Sequence, residues 1–155
     1  MIVNFILNGR PRQIEAPANE TLLQTLRDTL GNFDAKEGCN EGVCGACTVL
    51  LDGRPVASCL VLTPTVRAHT VVTLRGVQSG DDLHPLQQAF LDHGAVQCGF
   101  CTPGILLTAL AFLERHPRPD REDVRVALAG NLCRCTGYTK ILDAVQAYVS
   151  RPGRS

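Results

Sequence analysis

Fifteen basic residues are matched by fifteen acidic ones in this 155-residue chain, which therefore has no formal net charge. A sequence-nonspecific nucleic-acid binder needs a basic excess or stripe, so that class is excluded. Long apolar runs are also missing. The longest, Ile105 to Leu113, is nine residues and is interrupted by Thr108, too short for a membrane span. The opening Met1-Ile-Val-Asn-Phe lacks the basic start of a secretory signal and reaches a turn signal at Asn8-Gly9 too soon. There is no G-x-G-x-x-G, no phosphate-binding P-loop and no supported Ser/His/Asp arrangement, so this chain alone is expected to catalyse no substrate reaction. Disorder is excluded in turn by 45% hydrophobic residues against 19% charged. What the chain does have is eight cysteines. In a cytoplasmic protein these would stay reduced, so metal or redox chemistry becomes the first reading.

The two halves of the chain carry different patterns. Residues 2–7 read as a strand, Asn8-Gly9 as a turn, and Arg12 to Ala16 as an antiparallel return. Asn19 or Thr21 can cap a helix bearing Leu22, Leu23, Leu26 and Leu30, with Gly31 as its stop. Thr48 to Leu51 and Pro55 to Leu62 flank Asp52-Gly53, a strong hairpin signal, and Thr70 to Leu74 adds a last strand. This order predicts an α+β unit with a small mixed sheet. After a boundary near residues 76–80 the strand signals vanish, which divides the chain into domains 1–77 and 78–155. Four helices are expected: from Asp82 or Leu83 to Gly94, from a Thr102 cap and Pro103 to Arg115, from an Asp120 cap to Gly130, and from Thr139 to Val149. The second is apolar nearly all round and should be buried; four short helices with brief loops suggest a bundle. The tail from Arg151 to Ser155 is expected to be loose.

The cysteines fall into two sets of four. Cys39, Cys44, Cys47 and Cys59 have the spacing C-x4-C-x2-C with a distant fourth member, the plant-type pattern for a [2Fe–2S] cluster. Gly38, Gly42, Gly45 and Ala46 keep side chains out of the way, so backbone N–H groups can turn inward and stabilise the negative charge on sulfur. The hairpin at Asp52-Gly53 brings Cys59 back to close the cage. The second set, Cys98, Cys101, Cys133 and Cys135, is a C-x2-C and a C-x-C, both at helix ends. Alone, this spacing is ambiguous between zinc and iron–sulfur. Beside a ferredoxin-like loop, iron–sulfur is favoured. His69, His84, His93 and His116 share no ligand spacing with the cysteines and read as surface or capping residues. Arg134, between two ligand cysteines, offsets cluster charge, pairs with a partner or is simply solvated. Lys36 and Glu37 read as a solvated rim.

Three segments carry a resemblance: Gly38-Cys-Asn-Glu-Gly-Val-Cys-Gly-Ala-Cys-Thr-Val, Gln97-Cys-Gly-Phe-Cys-Thr-Pro-Gly and Gly130-Asn-Leu-Cys-Arg-Cys-Thr-Gly-Tyr. In this order they resemble the small iron–sulfur subunit of the xanthine oxidase (molybdenum hydroxylase) family, over essentially the whole chain. The resemblance implies an N-terminal β-grasp, plant-ferredoxin-like domain followed by a C-terminal four-helix bundle, each with one [2Fe–2S] cluster. It implies electron relay from a molybdopterin centre on a large partner subunit to FAD on a medium subunit, or to the haem of a cytochrome. The bundle cluster then lies next to the pterin, and Gln97 and Cys135 match the family positions that contact it. A hetero-oligomer is implied, placed in the cytoplasm unless a partner's signal carries it to the periplasm. Two other readings compete with this one: a free-standing two-cluster ferredoxin carrier, which the apolar bundle and the Gln97 motif count against, and a colourless zinc-stabilised interaction module. With two oxidised clusters bound, each contributing about −2, the neutral apo chain would sit near −4.

Overall fold

In the computed structural model, residues 1–78 and 80–152 are described. Two tight turns set the register of the sheet. At Asn8-Gly9 and Asp52-Gly53 both central residues have positive φ (50° and 76°, 48° and 77°), the geometry that matches the twist of an antiparallel pair. The first turn joins β1 (Ile2–Leu7) to β2 (Arg10–Glu15), and the second joins β3 (Thr48–Leu51) to β4 (Arg54–Ala57). β5 (Thr70–Val72) runs parallel to β1 and antiparallel to β3, giving the mixed order β2-β1-β5-β3-β4. Alternate residues Val3, Phe5 and Leu7 of β1 point inward, as a period of two requires. They meet Leu22, Leu23 and Leu26 in one hydrophobic cluster that also contains Cys47 and Cys59.

The expected helix after Thr21 is present but changes pitch. Thr21 and Gln24 form a capping box on α1 (Leu22–Gln24), and the chain then widens into a π-helical turn, Thr25–Thr29. Leu30 N donates to Thr25 O at 3.0 Å, five residues back. Thr25 is fully buried, and its hydroxyl bonds with Thr63 Oγ1 at 2.8 Å, a tertiary demand the apolar spacing does not reveal. Two strands are shorter than expected. β4 stops at Ala57 because Ser58–Leu60 turn into a 3₁₀ segment, and Thr73 leaves the sheet: its hydroxyl accepts from Asn8 Nδ2 and Asn32 Nδ2 and donates to Asp34, while its N–H donates to Asn8 Oδ1.

Four helices follow: α2 (Pro85–Asp92), α3 (Thr102–Arg115), α4 (Arg121–Ala127) and α5 (Thr139–Val149). α3 packs on β3 and β4 with one side and on α2 and α4 with the other, which explains why it is apolar nearly all round. A second hydrophobic cluster joins Leu86, Phe90, Ile105, Leu106, Val124, Leu128, Ile141 and Val145. Thr102 is the first helical residue of α3 and not its cap; Cys101 occupies the capping position without a side-chain hydrogen bond. Asp120 caps α4 as the sequence predicts. α2 begins later than Asp82 or Leu83, because His84 is the cap and Pro85 supplies the first turn. Of the expected loose tail, residues 153–155 lie outside the described residues. No helix among the described residues is long and apolar enough to cross a membrane.

The His84 cap makes the start of α2 sensitive to pH. Its Nδ1 accepts Leu86 N–H at 3.1 Å, which only an imidazole unprotonated at that nitrogen can do, and desolvation by burial lowers its pKa from 6.5. A base whose folded pKa is lowered contributes stability above its unfolded pKa and loses it as pH falls through the folded value. Thermal unfolding should therefore shift to lower temperature as pH drops below about 6.5, and His84→Asn should flatten this dependence while keeping a cap. Identical pH profiles for native and variant proteins would remove His84 as the cause.

Candidate metal centres

The first four cysteines are gathered by a loop whose backbone turns inward. The N–H groups of Glu41, Val43 and Cys44 approach Cys39 Sγ at 3.5, 3.4 and 3.4 Å, and Gly42 N–H serves Cys59. Four consecutive amides thus face sulfur. With Glu41, Cys44 and Val43 donating to it, the Cys39 thiol is held down at about 6, so the thiolate is the favoured form near neutrality. Desolvation by burial pushes Cys59 up to about 11, and the neighbouring Cys47 thiol adds to it.

Glycine is required here by space as well as by conformation. Gly42 has φ +77°, and a Cβ on it would stand 2.2 Å from Leu60 Cδ1. Ser58 secures the far side of the cage, its hydroxyl donating to Cys47 O at 2.7 Å, so that Cys59 follows on a 3₁₀ turn and faces Cys47.

The second four come from two loops at the start of α3 and before α5. Cys101 is buried, Cys133 half-buried, and Cys98 and Cys135 are exposed. The sulfurs of Cys98 and Cys135 lie 3.6 Å apart, and Cys101 interacts with Cys133. Desolvation raises Cys101 to about 12. Desolvation opposes ionisation of Cys133 as well, yet the Thr136 hydroxyl, at 3.1 Å, and the amides of Thr136 and Cys135 bring it below its ordinary value. Cys135 is raised, first by its hydrogen bond with Cys98.

Tyr138 clasps this second loop. Its hydroxyl accepts Cys133 N–H at 2.9 Å and donates to Asn131 O at 2.9 Å, while its own backbone is left-handed at φ 68°. Tyr138→Phe leaves both backbone groups without that partner, at a cost of about 1–3 kcal/mol. The variant should show a lower melting temperature and an altered spectrum of the metal centre held by this loop. A native-like spectrum and melting curve would show the clasp to be dispensable.

In each set the thiols meet in twos: Cys39 with Cys44 and Cys47 with Cys59, then Cys98 with Cys135 and Cys101 with Cys133. Paired thiols suit a dinuclear iron–sulfur core, in which each iron takes two of the four cysteines. The inward amides and the glycine cradle fit the same group.

The structure brings together some predicted residues and leaves others apart. Gln97 is exposed beside Cys98 and makes no hydrogen bond among the described residues. Arg134 is exposed and unpaired among them. His69 bonds with Asp52, His84 caps α2 and His116 stacks on Phe112, so these three take no part in either set. Sequence reasoning did not single out Ser58, Asn131, Thr136 or Tyr138. The last three lie in or beside a cysteine-rich segment, but nothing local marks the contacts they make.

The chain matches two family models, one described as "2Fe-2S iron-sulfur cluster binding domain" over residues 5–70 and one as "[2Fe-2S] binding domain" over residues 73–146. It is 50% identical over 149 residues to the nicotinate dehydrogenase small FeS subunit of Eubacterium barkeri, covering 96% of this chain and 95% of that one. It is 44% identical over 146 residues to the xanthine dehydrogenase iron-sulfur-binding subunit of Escherichia coli O157:H7, covering 92% and 91%. The crystal structure of quinoline 2-oxidoreductase from Pseudomonas putida 86 contains a similar chain, with TM-score 0.93 and 43% identity over 96% of this chain and 93% of that one.

Proposed function

Because this chain belongs to the two-cluster iron–sulfur subunits of the xanthine oxidase (molybdenum hydroxylase) family, we propose that it relays electrons from a molybdopterin centre on a large partner subunit to FAD on a medium subunit or to haem on a cytochrome. Cys39, Cys44, Cys47 and Cys59 are the ligands of one cluster, and Cys98, Cys101, Cys133 and Cys135 those of the other. The pairs in which the thiols meet support a distribution of two cysteines to each iron. Residues 1–77 form a β-grasp domain and residues 78–155 a four-helix bundle; a separate hydrophobic cluster in each supports this division.

Bound in these cages, each cluster supplies a one-electron carrier, so the pair can accept in two steps what a substrate releases together. The protein's part is electrostatic and steric. The amides of residues 41–44 stabilise charge on sulfur and so favour reduction. Buried Cys47, Cys59 and Cys101 keep water from the inner side of each cage. The observation that carries the reading is the contrast at the second set, where Cys98 and Cys135 are exposed beside Gln97 while Cys101 is buried. That exposed edge supports a contact with a partner's cofactor, in which Gln97 and Cys135 meet the pterin. The relatives' names as subunits favour this reading over a free-standing carrier.

The purified native complex should contain about four irons and four acid-labile sulfides per chain, with two distinct signals in electron paramagnetic resonance after reduction. Zinc in place of iron, in a colourless protein, would overturn the assignment.

A further inference from the structure

The two cysteine loops do not merely lie near each other; they are joined through one buried amide. Asn131, only 4% exposed and two residues before Cys133, donates from Nδ2 to Gly45 O at 3.1 Å and to Thr48 Oγ1 at 3.3 Å. Gly45 follows Cys44, and Thr48 follows Cys47. The Thr48 hydroxyl itself donates to Gly45 O at 2.7 Å, so it is free to accept from Asn131. Next door, Leu132 N donates to Cys44 O at 2.8 Å. On its other side Asn131 is held at the end of α4 by its own N–H to Leu128 O at 3.0 Å, and its carbonyl accepts from Tyr138, the residue that clasps Cys133.

The seam has no spare room. A Cβ on Gly45 would stand 2.3 Å from Gly130 O and 2.8 Å from Asn131 Nδ2. A Cβ on Gly104, in the first turn of α3, would stand 2.4 Å from Gly45 O and 3.2 Å from Asn131 Nδ2. Three backbone segments therefore close around this side chain. They carry or adjoin Cys44 and Cys47, Cys101, and Cys133.

A buried amide with good partners can serve stability alone. Its place argues for more, since it reads out the position of each loop against the other with directional bonds at both ends. Electron transfer between two centres falls exponentially with their separation, so the element that sets the spacing sets the rate. We infer that Asn131 is the positioning residue that fixes the distance and relative orientation of the two cluster-bearing loops. This rests on the two-cluster reading above, and iron content separates the two: wild-type complex with fewer than four irons per chain would undo that reading, whereas the variants below test the positioning alone.

The test is Asn131→Asp in the intact complex, which keeps the side-chain shape and removes both donors. Three quantities are read: iron per chain, the magnetic splitting between the two clusters when both are reduced, and the rate of electron redistribution between them after a reducing pulse. With both clusters retained, the splitting should change and redistribution should slow by about tenfold or more. Val124→Ala, a truncation in the core of α4 away from the seam, should lower the melting temperature and leave splitting and rate as in the wild type. Native splitting and rate in Asn131→Asp overturn the proposal and leave Asn131 a structural pin. If Asn131→Asp fails to hold both clusters, Thr48→Val carries the test, since it removes one acceptor of Asn131 and leaves every cysteine in place. A changed splitting there supports the proposal, and an unchanged one overturns it.

Discussion

Cys47→Ser should reduce the iron content of the chain from about four atoms to about two and abolish one of the two reduced signals. The substitution nearly conserves volume, so packing loss is the smaller effect. What disappears is a soft thiolate donor, and a serine hydroxyl stays protonated where a thiol ionises. Cys47 is 3% exposed and packs in the same hydrophobic cluster as Val49 and Cys59, so water is poorly placed to take over as ligand. The second signal should survive, because the other four cysteines stand on loops that pack in the other hydrophobic cluster. Its shape should still change, since Leu132 N–H is bonded to Cys44 O across the seam and that loop loses its anchor. Loss of both signals would show that the second cage assembles only on a completed first one.

Gly45→Ala should be far more damaging than Gly9→Ala, although both glycines have nearly the same backbone conformation, φ +71° and +76°. At Gly9 a Cβ meets nothing within 4 Å, so only the left-handed conformation opposes the change, at roughly 1–2 kcal/mol. At Gly45 the same strain is joined by a collision at 2.3 Å with Gly130 O, a backbone atom that cannot rotate away. The two cysteine loops would have to separate. Losses above about 4 kcal/mol are exceptional for single changes, and this position has the mechanism for one. Thermal unfolding and iron content of the two variants, compared side by side, check the claim. Gly9→Ala should retain both clusters, and Gly45→Ala should lose stability and iron together. Equal melting temperatures would show that the seam opens freely.

The difference between these glycines shows where local reading stops. Asn8-Gly9 and Asp52-Gly53 announce hairpins because the constraint is local, two residues at positive φ between strands. Asp120 and Thr21 announce helix starts for the same reason. The π-helical widening at Thr25–Thr29 escapes because it accompanies a tertiary contact, the buried bond between Thr25 and Thr63, which spans 38 residues. Cys59, on a strand by local pattern, stands on a 3₁₀ turn from which it meets Cys47, a contact that strand alternation does not encode. The helix α3 was legible as buried, but not as the layer between the sheet and the other helices.

By itself the sequence determined the chemistry: eight thiols in two spacings, and glycines where amides must reach sulfur. Ligand spacing and turn chemistry are short-range, so they are written in consecutive residues. Only the tertiary structure decided which thiols meet in pairs, which edge of the second set stays open, and that Asn131 ties the two cysteine loops across 86 residues of chain. Those properties depend on packing between distant segments, where a carbonyl, an amide and two absent side chains must occupy one small space. No local pattern encodes that.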